Sequence, residues 1–216
     1  GARVILAEDK PRFGGSLLTS DVNIGKQTGV EWTEKIIAEL KSMPNVTVKN
    51  RSQVFGYYDH NMLVMSERIS DHLPKTQKYL PKQRLWYIRA NEVLISSGSI
   101  ERPLVFGNND TPGVMLSSAA KEYMKVYGVL VGKKPLIFTN NDSGYETAIE
   151  FKKNGVNPII LDTRSNPSSD IITEAKNLNI EIKFSYVVVA AKGYKKVKSA
   201  DTVSYTHLTL PTNGLV

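Results

Sequence analysis

The 216-residue chain has no cysteine, three histidines and two tryptophans. Without cysteine it holds no disulfide, no thiolate-bound zinc or iron–sulfur cluster, no thiol nucleophile and no redox-active dithiol pair. His60, His72 and His207 are scattered and show no metal-ligand spacing, so no metal site is expected. No apolar run approaches the roughly 18 residues that span a bilayer. No secretory leader pattern is visible, and a cytoplasmic location without a membrane partner is expected. Acidic residues are the scarcer charge, 21 against 28 basic, for a net charge of +7. The basic residues are spread along the chain, with one dense cluster at Lys192, Lys195, Lys196 and Lys198. That spread does not predict a nucleic-acid partner. It fits solvated surface, a patch facing an acidic partner, or attraction of an anionic cofactor.

What is present is an alternation of strand and helix patterns. Arg3 to Ala7 reads as an apolar strand that ends in Glu8-Asp9. Val30 to Met43 reads as an amphipathic helix, with Ile36, Ile37, Leu40 and Met43 on one face and Pro44 as its stop. Short strands at Val46–Val48, Gln53–Tyr58, Met62–Met65 and Leu85–Ile88 suggest a β meander between about Val46 and Ile88, with a turn at Asp59-His60-Asn61. Val93 to Ser96 reads as a buried strand running into Ser97-Gly98-Ser99. Helices are expected at Ser117–Tyr127, closed by Gly128, at Ser143–Asn154 and at Ile171–Leu178. Strands are expected at Pro135–Thr139, Asn157–Asp162, Glu181–Phe184 and Tyr186–Ala190. Residues from about 133 to 162 form a βαβ unit whose strands should be parallel. The fold class that follows is α/β, a doubly wound nucleotide-binding fold interrupted by a β meander.

Three places carry nucleotide chemistry. An acid ending a Rossmann strand accepts hydrogen bonds from a ribose hydroxyl, about 20 residues after a glycine fingerprint. Glu8, with Asp9 beside it, has the right strand-end position, but only seven residues precede it. The fingerprint strand would therefore lie before Gly1. Gly14 and Gly15 follow, and paired glycines permit close approach of a cofactor. The bland reading makes Glu8 a turn or cap residue and the glycines a flexible loop. Thr139-Asn140-Asn141-Asp142-Ser143-Gly144 stands where a second glycine fingerprint would be, with Gly144 its one glycine. Asp142 or Ser143 can serve there as an ordinary N-cap, and the structural reading is favoured over phosphate binding. Asp162 ends the next strand as a ribose-binding acid would. Glu101-Arg102 offers an ion pair or a phosphate contact, and Asn108 to Gly113 is a turn signal.

Together, GARVILAEDKPRFGGSLL, ISSGSIERPLVFGNNDTPGVM and LIFTNNDSGYETA, in this order and spacing, resemble the α subunit of heterotetrameric sarcosine oxidase over residues 1 to about 202. The resemblance implies a Rossmann-like two-dinucleotide-binding fold, incomplete here, that binds NAD. Glu8 would contact the adenosine ribose, Asp9 beside it would also belong to the cofactor site, Gly14 and Gly15 would line the cofactor, and Ser97 and Gly98 would approach it from a strand end. It further implies a hetero-oligomer with FAD on a companion subunit, FMN near an intersubunit interface, and a tetrahydrofolate-binding domain outside this stretch. It implies an oxidoreductase acting on CH–NH groups, with no catalytic residue in this stretch, which alone would be inactive. A pyridine-nucleotide-dependent flavoprotein reductase, an amine or opine dehydrogenase subunit, and a non-catalytic nucleotide-binding scaffold are the alternatives. Residues 203–216, containing VSYTHLTLPT, resemble a translated sequencing adapter and are expected to be a poorly packed non-native tail.

Overall fold

A computed structural model describes residues 1–75 and 78–204. The chain divides into two compact units, Gly1–Gly98 and Ser99–Val216.

In the first unit, β1 (Val4–Ala7) leads through a small hairpin of β2 (Asn23–Ile24) and β3 (Gln27–Thr28) into α1 (Gly29–Ser42) and β4 (Val46–Lys49). β1 and β4 pair in parallel, Val4 with Val46 through Ala7 with Lys49. Thr28 starts the helix with a reciprocal capping box. Its hydroxyl accepts from Glu31 N at 3.2 Å, and the Glu31 carboxylate accepts from Thr28 N at 2.9 Å. Pro44 holds Met43 in the extended conformation (ψ 123°), which ends the helix where the sequence predicts.

Three strands then form an antiparallel meander: β5 (Ser52–Tyr58), β6 (Met62–Arg68) and β7 (Gln83–Arg89). The meander thus begins at Ser52. Val46–Lys49, expected within it, belongs to the parallel sheet, because its apolar residues align with those of β1. Glu67 on β6 fastens the meander to β4, accepting from Lys49 Nζ at 2.8 Å and from Trp86 Nε1 at 2.7 Å.

The expected buried strand at Val93–Ser96 is absent. The chain there is irregular and exposed, Leu94 by 93% and Ile95 by 69%. An apolar run becomes a buried strand only when a neighbour supplies ladder hydrogen bonds, and none does so among the described residues.

In the second unit, α2 (Ser117–Tyr127) closes on a left-handed Gly128 (φ +66°), whose N–H donates to Met124 O. Then β8 (Leu136–Thr139), α3 (Ser143–Lys153), β9 (Ile159–Asp162), α4 (Asp170–Asn177) and β10 (Glu181–Phe184) follow. The three strands are parallel in the order β10-β9-β8, and the parallel pairing of β8 with β9 is the one the βαβ pattern predicts. The central strand is the apolar run Ile159-Ile160-Leu161, as expected for a strand covered on both faces. Tyr145, Ala148 and Phe151 of α3 pack into a core with Ile137, Ile160 and Ile172.

An antiparallel hairpin of β11 (Tyr186–Gly193) and β12 (Val197–Ser204) completes the unit. β12 has no counterpart among the strands expected from the sequence; it takes in Lys198, the last residue of the basic cluster. Of the adapter-like tail, Val203 and Ser204 pair with Val187 and Tyr186, and the rest lies outside the described residues.

Candidate dinucleotide site

Glu8 sits at the C-terminal end of β1, where open α/β sheets present ligands. Its backbone is pinned on both sides: Glu8 N donates to Lys49 O at 2.9 Å, and Ser52 N donates to Glu8 O at 2.8 Å. The carboxylate, half-buried, accepts from Lys10 N at 3.0 Å. Burial lifts its pKa above the usual carboxylate range. The Lys10 hydrogen bond opposes this, and the neighbouring Asp9 adds to it. Hydroxyl donors from a ligand would relieve that strain by favouring the ionised form.

Asp9 is exposed and turns toward the meander. Its carbonyl accepts from Arg68 Nη2 at 3.0 Å. With Gln53, Ser66, Arg68 and Gln83 it lines a polar cleft of about 390 Å³. Single-residue reading misses those four partners. The strand register that places Gln53 beside Ser66 and Arg68 beside Gln83 brings them together.

Gly14 and Gly15 differ. A Cβ on Gly14 (φ +125°) would press on Leu18 and Thr33 at 3.1–3.2 Å, so this glycine serves the packing of the turn. Gly15 (φ +51°) faces open space and leaves its backbone accessible. Ser97 and Gly98 lie in the exposed irregular segment, Gly98 at φ +70°. They therefore belong to no strand end, contrary to the sequence expectation, since Val93–Ser96 gains no ladder partner.

The second strand-end acid is closed. Asp162 has no exposed surface. It accepts from Tyr145 Oη at 2.7 Å, Arg164 N at 2.9 Å, Arg164 Nε at 3.0 Å and Arg164 Nη2 at 2.8 Å. Burial pushes this carboxyl up, but the bonds from Arg164 and Tyr145 outweigh it and hold it below the usual range. Arg164 Nη2 also reaches Asp142 at 2.8 Å.

The loop before α3 is likewise self-satisfied. Asn141 Oδ1 accepts from Ser143 N at 2.9 Å and from Ser143 Oγ at 2.6 Å. Thr139 Oγ1 accepts from Asn141 N at 3.2 Å and donates to Asn141 O at 2.9 Å. Asp142 stands at the N-cap position, as the sequence allows, but its side chain makes no capping bond, and the Asn141 side chain takes the Ser143 N–H instead. Gly144 keeps the packing duty of a fingerprint's third glycine, since a Cβ there would lie 2.8 Å from Thr139 Cβ.

Glu101 is also committed, accepting from Ser118 N at 2.8 Å at the start of α2.

No protein-family model matches the chain. Three curated proteins do, all named sarcosine oxidase subunit alpha. Sarcosine oxidase subunit alpha of Rhizobium meliloti (strain 1021) is 39% identical over 202 residues, 93% of this chain and 20% of that protein. Its namesake in Corynebacterium sp. (strain P-1) is 35% identical over 88% of this chain and 20% of that protein. The chain is a relative of sarcosine oxidase subunit alpha.

It spans 20% of the length of these subunit alpha relatives. Among solved structures, T. acidophilum thioredoxin reductase superposes with a TM-score of 0.66 over 95% of this chain and 71% of that chain, at 14% identity. At that identity the likeness speaks for the fold, a Rossmann-like α/β fold of the kind found in FAD/NAD-dependent oxidoreductases. This relative of subunit alpha has no cysteine with which to form a thiol pair.

Proposed function

We propose that this chain is the NAD-binding portion of a flavin-dependent oxidoreductase complex that oxidatively demethylates sarcosine. The observation that supports it most is the half-buried Glu8 carboxyl, its pKa raised by burial, at the end of a parallel strand in a chain 39% identical to a sarcosine oxidase subunit alpha. Glu8 accepts the ribose hydroxyls of the adenosine half, and Asp9 borders the same end of the strand. Gly15 lets the backbone approach the ligand, while Gly14 shapes the turn that presents it. Ser97 and Gly98 come to the nucleotide only once their segment is ordered as a strand.

A feature of β1 supports a longer sheet in the full-length protein. Among the described residues β1 pairs with β4 alone, and its residues Val4, Ile5 and Leu6 are exposed. A further parallel strand bearing the glycine fingerprint would cover that edge, and would give Val93–Ser96 a place to pair. A bound dinucleotide supplies an adenosine anchor and a nicotinamide able to accept hydride. FAD, FMN and tetrahydrofolate are assigned to other segments or companion subunits, and no catalytic residue is assigned to this chain.

The test is nucleotide extraction from the full-length α subunit purified with its companion subunits. Wild type should release equimolar NAD, and Glu8→Ala should release little while the complex stays assembled. Unchanged NAD in Glu8→Ala would overturn the site. An α subunit that carries FAD and consumes NADH alone would instead favour a flavoprotein reductase.

A further inference from the structure

The hairpin of β11 and β12 ends in a tip that only a particular backbone allows. A Cβ on Gly193 (φ +153°) would collide with the Lys196 carbonyl oxygen. The tip presents Tyr194, 91% exposed, among Lys192, Lys195, Lys196 and Lys198. Lys192 pairs with Asp201 at 2.8 Å. Lys195, Lys196 and Lys198 carry no ion pair among the described residues.

An isolated two-stranded hairpin is marginally stable in water, but this one is held at mid-strand on β11 and at the start of β12. Gly107 N donates to Val189 O at 2.8 Å, and Ala191 N donates to Gly107 O at 2.8 Å. Asn108 Nδ2 donates to Ala191 O at 3.1 Å, and Val197 N donates to Pro112 O at 2.8 Å. The segment from Gly107 to Pro112, which overlaps the turn signal at Asn108 to Gly113, thus holds both strands. A stiff support lowers the ordering entropy that a contact at the tip must overcome.

We propose that this tip is a docking finger for an acidic protein surface on a companion subunit. The proposal rests on the reading above that the full-length protein works in a hetero-oligomer. Its chemistry is two-part. Unpaired lysines steer and orient an acidic surface, and an exposed tyrosine on a rigid mount is the type of side chain that anchors an interface. A nucleic-acid contact would call for a longer cationic stripe with several stacking aromatics, whereas the finger offers one tyrosine.

The test titrates the full-length α subunit against its companion subunits at several salt concentrations. Variants are Tyr194→Ala and the pair Lys195→Glu with Lys196→Glu. These side chains are exposed, so melting temperature and NAD content should match wild type. The charge reversal should weaken assembly at least about tenfold and flatten its salt dependence. Tyr194→Ala should weaken it without changing that dependence.

Unaltered assembly in both variants, with NAD retained in wild type, overturns the finger and leaves the dinucleotide reading standing. Absence of NAD from wild type, with assembly lost in the variants, does the reverse. Displacement of the companion subunits by an oligonucleotide at low salt, but not by polyglutamate, would assign the tip to nucleic acid and overturn the proposal.

Discussion

Glu8 and Asp162 end parallel strands of the same kind, and the surroundings divide them. The Glu8 carboxylate accepts from the Lys10 N–H, and burial raises its pKa. Asp162 has Tyr145 and three nitrogens of Arg164 on it, and its pKa is lowered. The loops repeat the contrast. Gly15 faces open space, whereas the Asn141 side chain takes the Ser143 N–H that a phosphate would need. A nucleotide-type half can therefore keep its topology while its polar groups turn inward. Position in the sheet marks a possible ligand site, and spare hydrogen-bonding capacity decides whether a ligand can use it.

The largest effect should come from Asp162→Ala. Removing a wholly buried carboxylate strands Arg164 and Tyr145, at about 3 kcal/mol or more by analogy with other broken buried pairs. Denaturant unfolding of the full-length subunit would measure it, while NAD content of the folded protein should hold. Loss of NAD with stability intact would erase the contrast. Acid reports on the same group. Because the folded pKa of Asp162 is depressed, its stabilisation is present above the unfolded value near ~3.9 and is lost as pH falls through the folded value. An Asp162→Asn protein should lack that slope.

Next is Glu8→Ala, expected to weaken NAD binding by roughly 10- to 100-fold, as for hydrogen bonds to a charged group. Its melting temperature should barely move. The sign with pH is opposite: a raised folded pKa gives stability present below about 4.3 and lost as pH rises through the folded value. NAD affinity should fall with acid earlier than an ordinary carboxylate would dictate, which isothermal titration across pH 4–7 would read.

Gly144→Ala should cost about 1–3 kcal/mol through overpacking on Thr139, with no change in NAD content. A loss of nucleotide would reopen the second half as a site. Smallest is Tyr145→Phe, about 1 kcal/mol for one hydrogen bond. A larger loss would mean that Tyr145 and Arg164 act as one unit around Asp162, which a double-mutant cycle would resolve.

Local signals were legible wherever local physics decides. The Pro44 stop, the left-handed Gly128 cap and the parallel β8–α3–β9 unit all follow from short stretches. Val93–Ser96 was misread because its apolarity expresses a need for a neighbour that the stretch itself does not contain. β12 carries no two-residue alternation in its sequence or burial, and its pairing with β11 is what defines it as a strand. At the site, the glycines and acids could be named but not ranked. Gly14 and Gly15 look alike in sequence, and only Leu18 and Thr33 separate them. Arg164, which closes the second half, lies two residues after Asp162, a spacing that could have raised the question without answering it.

The exposed segment after β7 also bears on handling this polypeptide. Leu94, Ile95, Ile100 and Val105 stand in water, and the boundary between the two units falls among them, at Gly98–Ser99. Exposed, irregular chain rich in apolar side chains is what proteases enter and what neighbouring molecules pair with. Brief chymotrypsin treatment should therefore cut first near Leu94, which mass spectrometry of the products would detect. At high concentration the same stretch should drive self-association, visible as light scattering, and Ile95→Lys should suppress it.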